Sequence, residues 1–392
     1  MKKRFLRDIA EIQTGPFGSQ LHKEDYVDVG TPIVTVEHLG CRVFSEQNLP
    51  MVSDTDKSRL SKYVLKKGDI VFSRVGSVDR CSFVDPKHDG WMFSGRCLRV
   101  RPSEEVDSLF LYYFFCLNTT KEFVRSIAVG ATMPSINTKL LGEVEVVCPE
   151  IEEQRKIADI LSKIDDKIEE NQKINENLEQ QISSIYANFF ESKSWKPCEL
   201  GSIIDVKDGT HDSPKPQTSG YLLVTSKHLL PYGVDRITPN RITEKDFKKI
   251  NERSLVEQGD VLMSMIGTIG LISFVADQTI DYAIKNVALF KTSKTPELAY
   301  YFLTFLKSKK NQQYIEMCLA GSTQKYISLG ELRKMPIPVP AGETLESFNK
   351  IVRPMYQTII LNTQENNAFA VLRDTLLPRL MSGEIDVSEV QL

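Results

Sequence analysis

The sequence predicts an α+β protein: two similar mixed α/β domains separated by two long antiparallel helices, an intramolecular coiled coil with a pseudo-two-fold internal repeat. Three observations predict it. Residues 151–191 contain no Pro and no Gly and carry apolar residues in steps of four and three, the mark of one long helix with a seam for a second. The chain then repeats itself at a nearly constant offset of 191 residues. Each copy also holds short β-branched runs bounded by Gly, Pro and Asp, together with one aromatic-rich helical stretch.

The seam of the first helix runs Ile157, Leu161, Ile164, Ile168, then Asn171 and Asn175, then Leu178, Ile182, Ile185 and Phe189. At 1.5 Å per residue such a helix spans roughly 60 Å. A small domain needs nothing that long in its own core, so the segment reads as a rigid spacer between domains. The offset of 191 maps Gly68-Asp69 onto Gly259-Asp260, Gly76 onto Gly267, Gly130 onto Gly321 and Pro149 onto Pro340. Thr35 and His38 recur as Thr225 and His228 at an offset of 190. The same 191 carries the helix seam onto Phe348, Val352, Met355, Ile359, Asn362, Asn366, Phe369, Leu376 and Leu380, with Arg373 opposite Ile182 as the mismatch.

The order is therefore domain, helix, domain, helix, with boundaries at 1–149, 150–191, 192–341 and 342–380 and a tail at 381–392. Two matching seams that leave different domains pair over their full length only when antiparallel, an isologous arrangement within one chain. The domains then sit near opposite ends of a two-helix rod. A polar residue at a seam costs stability and fixes register. Asn171 is expected to face Asn366, and Asn175 to face Asn362. Pro354 lacks a backbone donor, so a kink or a fresh start is expected in the second helix.

Within the domains, Ile33–Val36, Asp69–Arg74 and Glu143–Cys148 read as strands, as do Leu222–Thr225, Asp260–Met265, Asn286–Lys291 and Met335–Val339. Ser108–Ala128 and Pro296–Leu319 read as helices. Their clusters Tyr112-Tyr113-Phe114 and Tyr300-Tyr301-Phe302 have helical spacing, which favours core over base stacking. Polar loops are where ligand contacts are to be sought. Short polar side chains beside Lys or Arg suit phosphate and base-edge hydrogen bonds. The candidates are Ser19, Gln20, His22 and Lys23 in GPFGSQLHKEDY, and Ser73, Arg74, Ser77 and Arg80 in SRVGSVDR. In the second domain they are Thr210, His211, Asp212 and Lys215 in DGTHDSPK, Ser264 and Thr268 in SMIGTIG, and Thr323, Gln324 and Lys325 in GSTQKY. A turn-stabilising role competes with ligand contact at each one.

The totals narrow the field. A chain of 392 residues exceeds one core. The net charge of −3 hides an acidic helix, since residues 150–191 hold eleven acids against five bases. The remainder is mildly basic, which neither demands nor excludes nucleic acid. Seven scattered Cys without a C-x-x-C pair read as reduced thiols in a cytoplasmic protein. No run of 18 apolar residues implies a membrane span. There is no phosphate-binding G-x-x-x-x-G-K-[ST] loop, no Asn/Asp-Pro-Pro-aromatic tetrapeptide, and no metal spacing among the five His. His211-Asp212-Ser213 has the letters of a catalytic triad, but adjacent loop residues do not converge as a triad must. No catalytic residue, resident metal or cofactor is assigned, and spacing alone leaves a two-headed binding protein.

Several segments taken in order resemble the specificity subunit of type I restriction–modification enzymes. They are Thr14-Gly15-Pro16-Phe17-Gly18-Ser19-Gln20-Leu21, Glu153-Gln154-Arg155-Lys156-Ile157-Ala158, Asp208-Gly209-Thr210-His211-Asp212-Ser213-Pro214, Gly267-Thr268-Ile269-Gly270, and Leu376-Leu377-Pro378-Arg379-Leu380-Met381-Ser382-Gly383-Glu384-Ile385. The resemblance implies two target-recognition domains, each reading one half of a bipartite, asymmetric site in double-stranded DNA. It implies helices that set the spacing and dock two methyltransferase subunits, with a restriction subunit as a further partner. It places S-adenosylmethionine and ATP on those partners and no catalysis on this chain. The competing readings are a coiled-coil scaffold joining proteins without DNA, and a self-contained nuclease or methyltransferase.

Overall fold

The computed structural model describes residues 2–16, 18, 20–191, 195–321 and 325–390, with Lys23 described by its backbone alone. The chain forms two compact units: Met1–Glu169 with Asn367–Leu392, and Glu170–Asn366. Each unit therefore contains one mixed α/β domain and a segment of both long helices.

In the first unit, Ala10–Thr14, Cys97–Pro102, Ile70–Ser73 and Cys81–Phe83 form, in that spatial order, an antiparallel sheet. A second sheet joins Tyr26–Val27, Met51–Val52, Thr31–Val34 and Met92–Phe93, the last pair parallel. Lys2–Phe5 pairs with Glu145–Cys148 beside the helix start. The second unit repeats the plan. Val206–Asp208, Val287–Phe290, Val261–Ser264 and Ile272–Phe274 form its antiparallel sheet. Arg241–Ile242, Tyr221–Val224 and Tyr282–Ile284 form the smaller sheet, the last two strands parallel. Pro197–Glu199 pairs with Pro336–Pro338.

Several features shared by the two copies are scaffold. Gly68 and Gly259 hold φ of 89° and 87°, a left-handed turn that favours glycine. The following Asp69 is buried against Arg101 at 2.7 Å, and Asp260 against Lys291 at 2.6 Å. Thr35 and His38 form a capping box in which the Thr35 amide donates to His38 Nδ1 at 2.9 Å, and Thr225 with His228 repeats it at 3.0 Å.

The first long helix spans Ile151–Tyr186, followed by a π-helical turn at Ala187–Glu191, and the second spans Gly342–Met381. Within each unit the two helical segments run antiparallel. In the first, Asp165 meets Arg373, and Lys156 meets the Ser388 carbonyl in the tail that follows the second helix. In the second, Asn175 meets Asn362 and Tyr186 meets Phe348. Ile157, Leu161, Leu377 and Leu380 join the core of the first unit, and Ile182, Phe348, Val352 and Ile359 that of the second.

Two expectations need correction. The second helix does not start again at Pro354 but continues through it. Pro354 and Lys350 both lie on the exposed face, so the carbonyl left without a donor is open to water. The helices expected over 108–128 and 296–319 are each two. Leu117 (ψ 134°) and Ser308 (ψ 143°) turn extended, and the Ser308 hydroxyl caps the next helix by accepting from the Asn311 amide. Tyr112, Tyr113, Phe114, Tyr301 and Phe302 are buried, so these aromatics are core.

Candidate nucleic-acid interface

The register of the larger sheet in the first unit puts Thr14, Ser73, Cys81 and Cys97 at one end. The loops leaving that end therefore meet. The Gly15 amide donates to the Cys97 carbonyl at 3.2 Å, the Arg74 amide to the Arg96 carbonyl at 2.8 Å, and the Gly76 amide to the Pro134 carbonyl at 2.8 Å. A Cβ on Gly15 would overlap the Ser94 carbonyl oxygen, which explains this glycine.

Side chains on this end divide into braces and free groups. Ser73 is buried and its hydroxyl donates to the Val75 carbonyl at 2.7 Å. Arg74 donates to the Gly95 carbonyl at 3.1 Å, and Arg80 to that of Leu39. Gln20 is tied by the Tyr63 hydroxyl, which donates to its Oε1 at 2.7 Å. His22 and Ser77 are exposed, Lys23 lies in the turn Lys23–Asp25, and Ser19 falls outside the described residues. Arg96, which sequence reasoning passed over, is exposed, and its side chain makes no hydrogen bond or ion pair among the described residues. Its neighbours Ser94-Gly95 form a turn signal directly before a strand, and that signal was available in the sequence.

The second unit repeats the arrangement with different chemistry. Asp208, Ser264, Ile272 and Val287 share one sheet end. The Gly209 amide donates to the Val287 carbonyl at 2.9 Å, and a Cβ there would overlap the Ile284 carbonyl. The His211 ring spans Asn286 Oδ1 at 2.8 Å and Asp208 Oδ2 at 3.0 Å, and Arg253 pairs with the same Asp208. Lys285 donates to the Ser213 hydroxyl. His211 and Ser213 thus have separate partners, and the triad letters form no shared chain. Thr210 accepts from the Asp212 amide at 3.1 Å. Thr210, His211, Asp212 and Ser213 line an open cavity of about 330 Å³ with Lys249 and Arg253. Ser264 is buried, its hydroxyl donating to the Thr268 carbonyl at 2.6 Å. Lys215, Thr268 and Lys325 are exposed, while Thr323 and Gln324 fall outside the described residues. Burial and internal bonding remove Ser73 and Ser264 from the ligand-facing candidates.

The long helices carry polar contacts of two kinds. Asn171, 2% exposed, donates to Asn366 Oδ1 at 2.9 Å and to Glu365 at 2.7 Å, and Asn362 donates to Asn175 Oδ1 at 2.8 Å. The others latch each domain to a helix of its own unit. Arg42 pairs with Asp166 and, at 2.8 Å, with Glu169. Burial works against its charge, but the two carboxylates outweigh that and raise its pKa. Tyr113 and Arg373 converge on the buried Asp165 at 2.7 and 2.8 Å. Burial first, then the Asp165 carboxylate, pushes the Tyr113 phenol far up. In the second unit Tyr232 and Lys307 converge on Glu179 at 2.5 and 2.8 Å.

Among the described residues no three His, Cys, Asp or Glu side chains gather to hold a metal ion, and no helix is long and apolar enough to cross a membrane. Comparison with known proteins accords with a chain written twice. The MjaIX type I restriction enzyme specificity subunit of Methanocaldococcus jannaschii is 29% identical over 322 residues, covering 74% of this chain and 72% of that protein. The HindI specificity subunit of Haemophilus influenzae is 22% identical over 435 residues, covering 90% and 92%. The crystal structure of a type I restriction-modification system S subunit from M. genitalium aligns over 97% of this chain and 95% of that one with a TM-score of 0.59 at 17% identity, a likeness of fold. The family described as "Type I restriction modification DNA specificity domain" matches twice, over residues 1–180 and 192–369, and the chain belongs to that family.

Proposed function

We propose that this chain is the DNA sequence-specificity subunit of a type I restriction–modification complex, with each α/β domain reading one half of a bipartite, asymmetric site. The observation that carries this is the duplicated sheet end. The same backbone frame presents Arg74, Arg80 and Arg96 in one unit and His211, Lys285 and Asn286 in the other. Two equal frames with unequal loops suit two unequal half-sites. The long helices set the distance between halves, and the acidic surplus of the first suits protein partners rather than DNA.

Two methyltransferase subunits dock on the pseudo-equivalent helical surfaces, and a restriction subunit joins that complex in the cytoplasm. S-adenosylmethionine is held by the methyltransferase subunits and ATP by the restriction subunit. This chain supplies the address and no chemistry. The test is a genome-wide map of methylated bases with and without the gene, then with residues 1–149 exchanged for those of a relative. One half of the methylated site should change while the other half and the spacer stay. Four residues inserted near Asn171 should alter the tolerated spacer or abolish methylation and leave both halves intact. A changed half-site after the insertion, or methylation by the isolated chain with S-adenosylmethionine, would overturn the reading.

A further inference from the structure

Three guanidinium groups stand at the sheet end of the first unit, and two are committed. Arg74 holds the Gly95 carbonyl and Arg80 the Leu39 carbonyl. Arg96 is exposed and, among the described residues, has no partner. Its backbone is nevertheless pinned. The Arg96 carbonyl accepts from the Arg74 amide at 2.8 Å, the Ser94 amide donates to the Val34 carbonyl at 2.9 Å, and the Cys97 amide donates to the Ser94 carbonyl at 2.9 Å. On the other flank Gly15 packs directly on Ser94. A free guanidinium thus projects from a rigid turn between the two loops that flank it.

We infer that Arg96 is a specificity-determining residue of the first half-site, reading a guanine through its O6 and N7 in the major groove. This rests on the proposed function and adds the residue and the base. A planar fork of five donors matches the two acceptors on the guanine edge, and a fixed backbone keeps the ordering cost low. Arg74 and Arg80 each give an N–H to a backbone carbonyl and so brace the loops, whereas the whole donor fork of Arg96 is open to a ligand. The second unit has Lys285 and Asn286 at its corresponding turn, with Lys285 bound to Ser213 and Asn286 to His211. A free arginine at this place therefore belongs to the first half-site alone.

An exposed arginine can instead contact phosphate, and the two roles separate experimentally. Arg96→Ala and Arg96→Gln chains are assembled with the methyltransferase subunits, and methylation is mapped across a genome or a randomised duplex library. Thermal melting confirms folding, since the side chain supports nothing else in the unit. Base reading predicts that preference for guanine at one position of one half-site falls about tenfold or more, with the other half and the spacer unchanged. Arg96→Lys should retain part of it. Uniformly weaker methylation with an unchanged motif and a shallower salt dependence would mark a phosphate contact and overturn the inference. So would an unchanged map. If the wild-type complex directs no methylation at any motif, the proposed function itself fails, which is a distinct result.

Discussion

Asp165 is buried, 8% exposed at its side chain, and accepts from the Tyr113 hydroxyl at 2.7 Å and from Arg373 at 2.8 Å. Replacing Arg373 by Met leaves a carboxylate in the core of the first unit with one neutral donor. Breaking a fully buried pair costs roughly 3–5 kcal/mol. Arg373 retains 31% exposure, so water recovers part of that and about 2–3 kcal/mol is expected. For a unit of this size that is a fall of roughly 4–12 °C in the melting temperature. The assay is urea and thermal unfolding followed by Trp91 fluorescence in a Trp195→Phe background, since these are the two tryptophans of the chain. The second unit shows that a neutral set fits the same frame. At the offset of 191, Tyr113, Asp165 and Arg373 correspond to Thr304, Tyr356 and Ile182, where Thr304 and Tyr356 share one hydrogen bond at 2.8 Å. Tyr113→Phe, Asp165→Leu and Arg373→Met together should therefore recover most of the lost stability. A single Arg373→Met that costs under about 0.5 kcal/mol, or a triple variant as unstable as that single one, would refute the argument that the uncompensated charge sets the penalty.

Further outcomes follow from the same geometry. Asn171→Leu alone should destabilise the second unit by about 1–3 kcal/mol, because the Asn366 amide oxygen loses its donor. Adding Asn366→Leu should restore stability, and cross-linking between cysteines placed along the two helices should then report mixed registers; a single register would show that the asparagines do not set it. Gly15→Ala and Gly209→Ala each force a Cβ onto a backbone carbonyl. Each should cost about 1–3 kcal/mol and degrade recognition of its own half-site only, read from the methylation map. Glu179 is raised by burial but lowered more by Lys307 and Tyr232, for a net depressed carboxyl. Its contribution is therefore present at neutral pH and lost as pH falls through the carboxylate range, and Glu179→Gln should flatten the acid limb of the second unit's stability curve.

The long helices were legible because their signal is long: the first carries a heptad pattern free of Pro and Gly, and the repeat carries the same seam onto the second despite Pro354. The strand Cys97–Pro102 was not, although it is central to its sheet. Arg99 and Arg101 interrupt its apolar pattern, and only the fold reveals that Glu11 and Asp69 compensate them. The breaks at Leu117 and Ser308 were hidden for a similar reason, since neither site holds Gly or Pro and tertiary packing sets the turn. At the candidate interface, composition located the loops but not the direction of side chains. Ser73 and Ser264 face inward as braces, and Arg96 faces outward from a three-residue turn.

The duplication supplies a control that a single domain lacks. A residue identical in both copies cannot by itself distinguish two different half-sites. Gly68 with Gly259, Asp69 with Asp260, His38 with His228 and Ser73 with Ser264 are all spent on turns, buried pairs and caps. Discrimination must then lie where the copies diverge on a shared frame, and the turn before Cys97–Pro102 in one copy and Val287–Phe290 in the other is such a place. One copy has Ser94-Gly95-Arg96 and the other Lys285-Asn286, each fixed by backbone bonds to the smaller sheet. Grafting Lys285-Asn286 in place of Gly95-Arg96 should therefore change the base preference of the first half-site while the buried Asp69–Arg101 pair keeps the sheet intact. If that graft left the methylated motif unchanged, readout would have to sit on the outer loops alone, and the pinned turn would be scaffold as well.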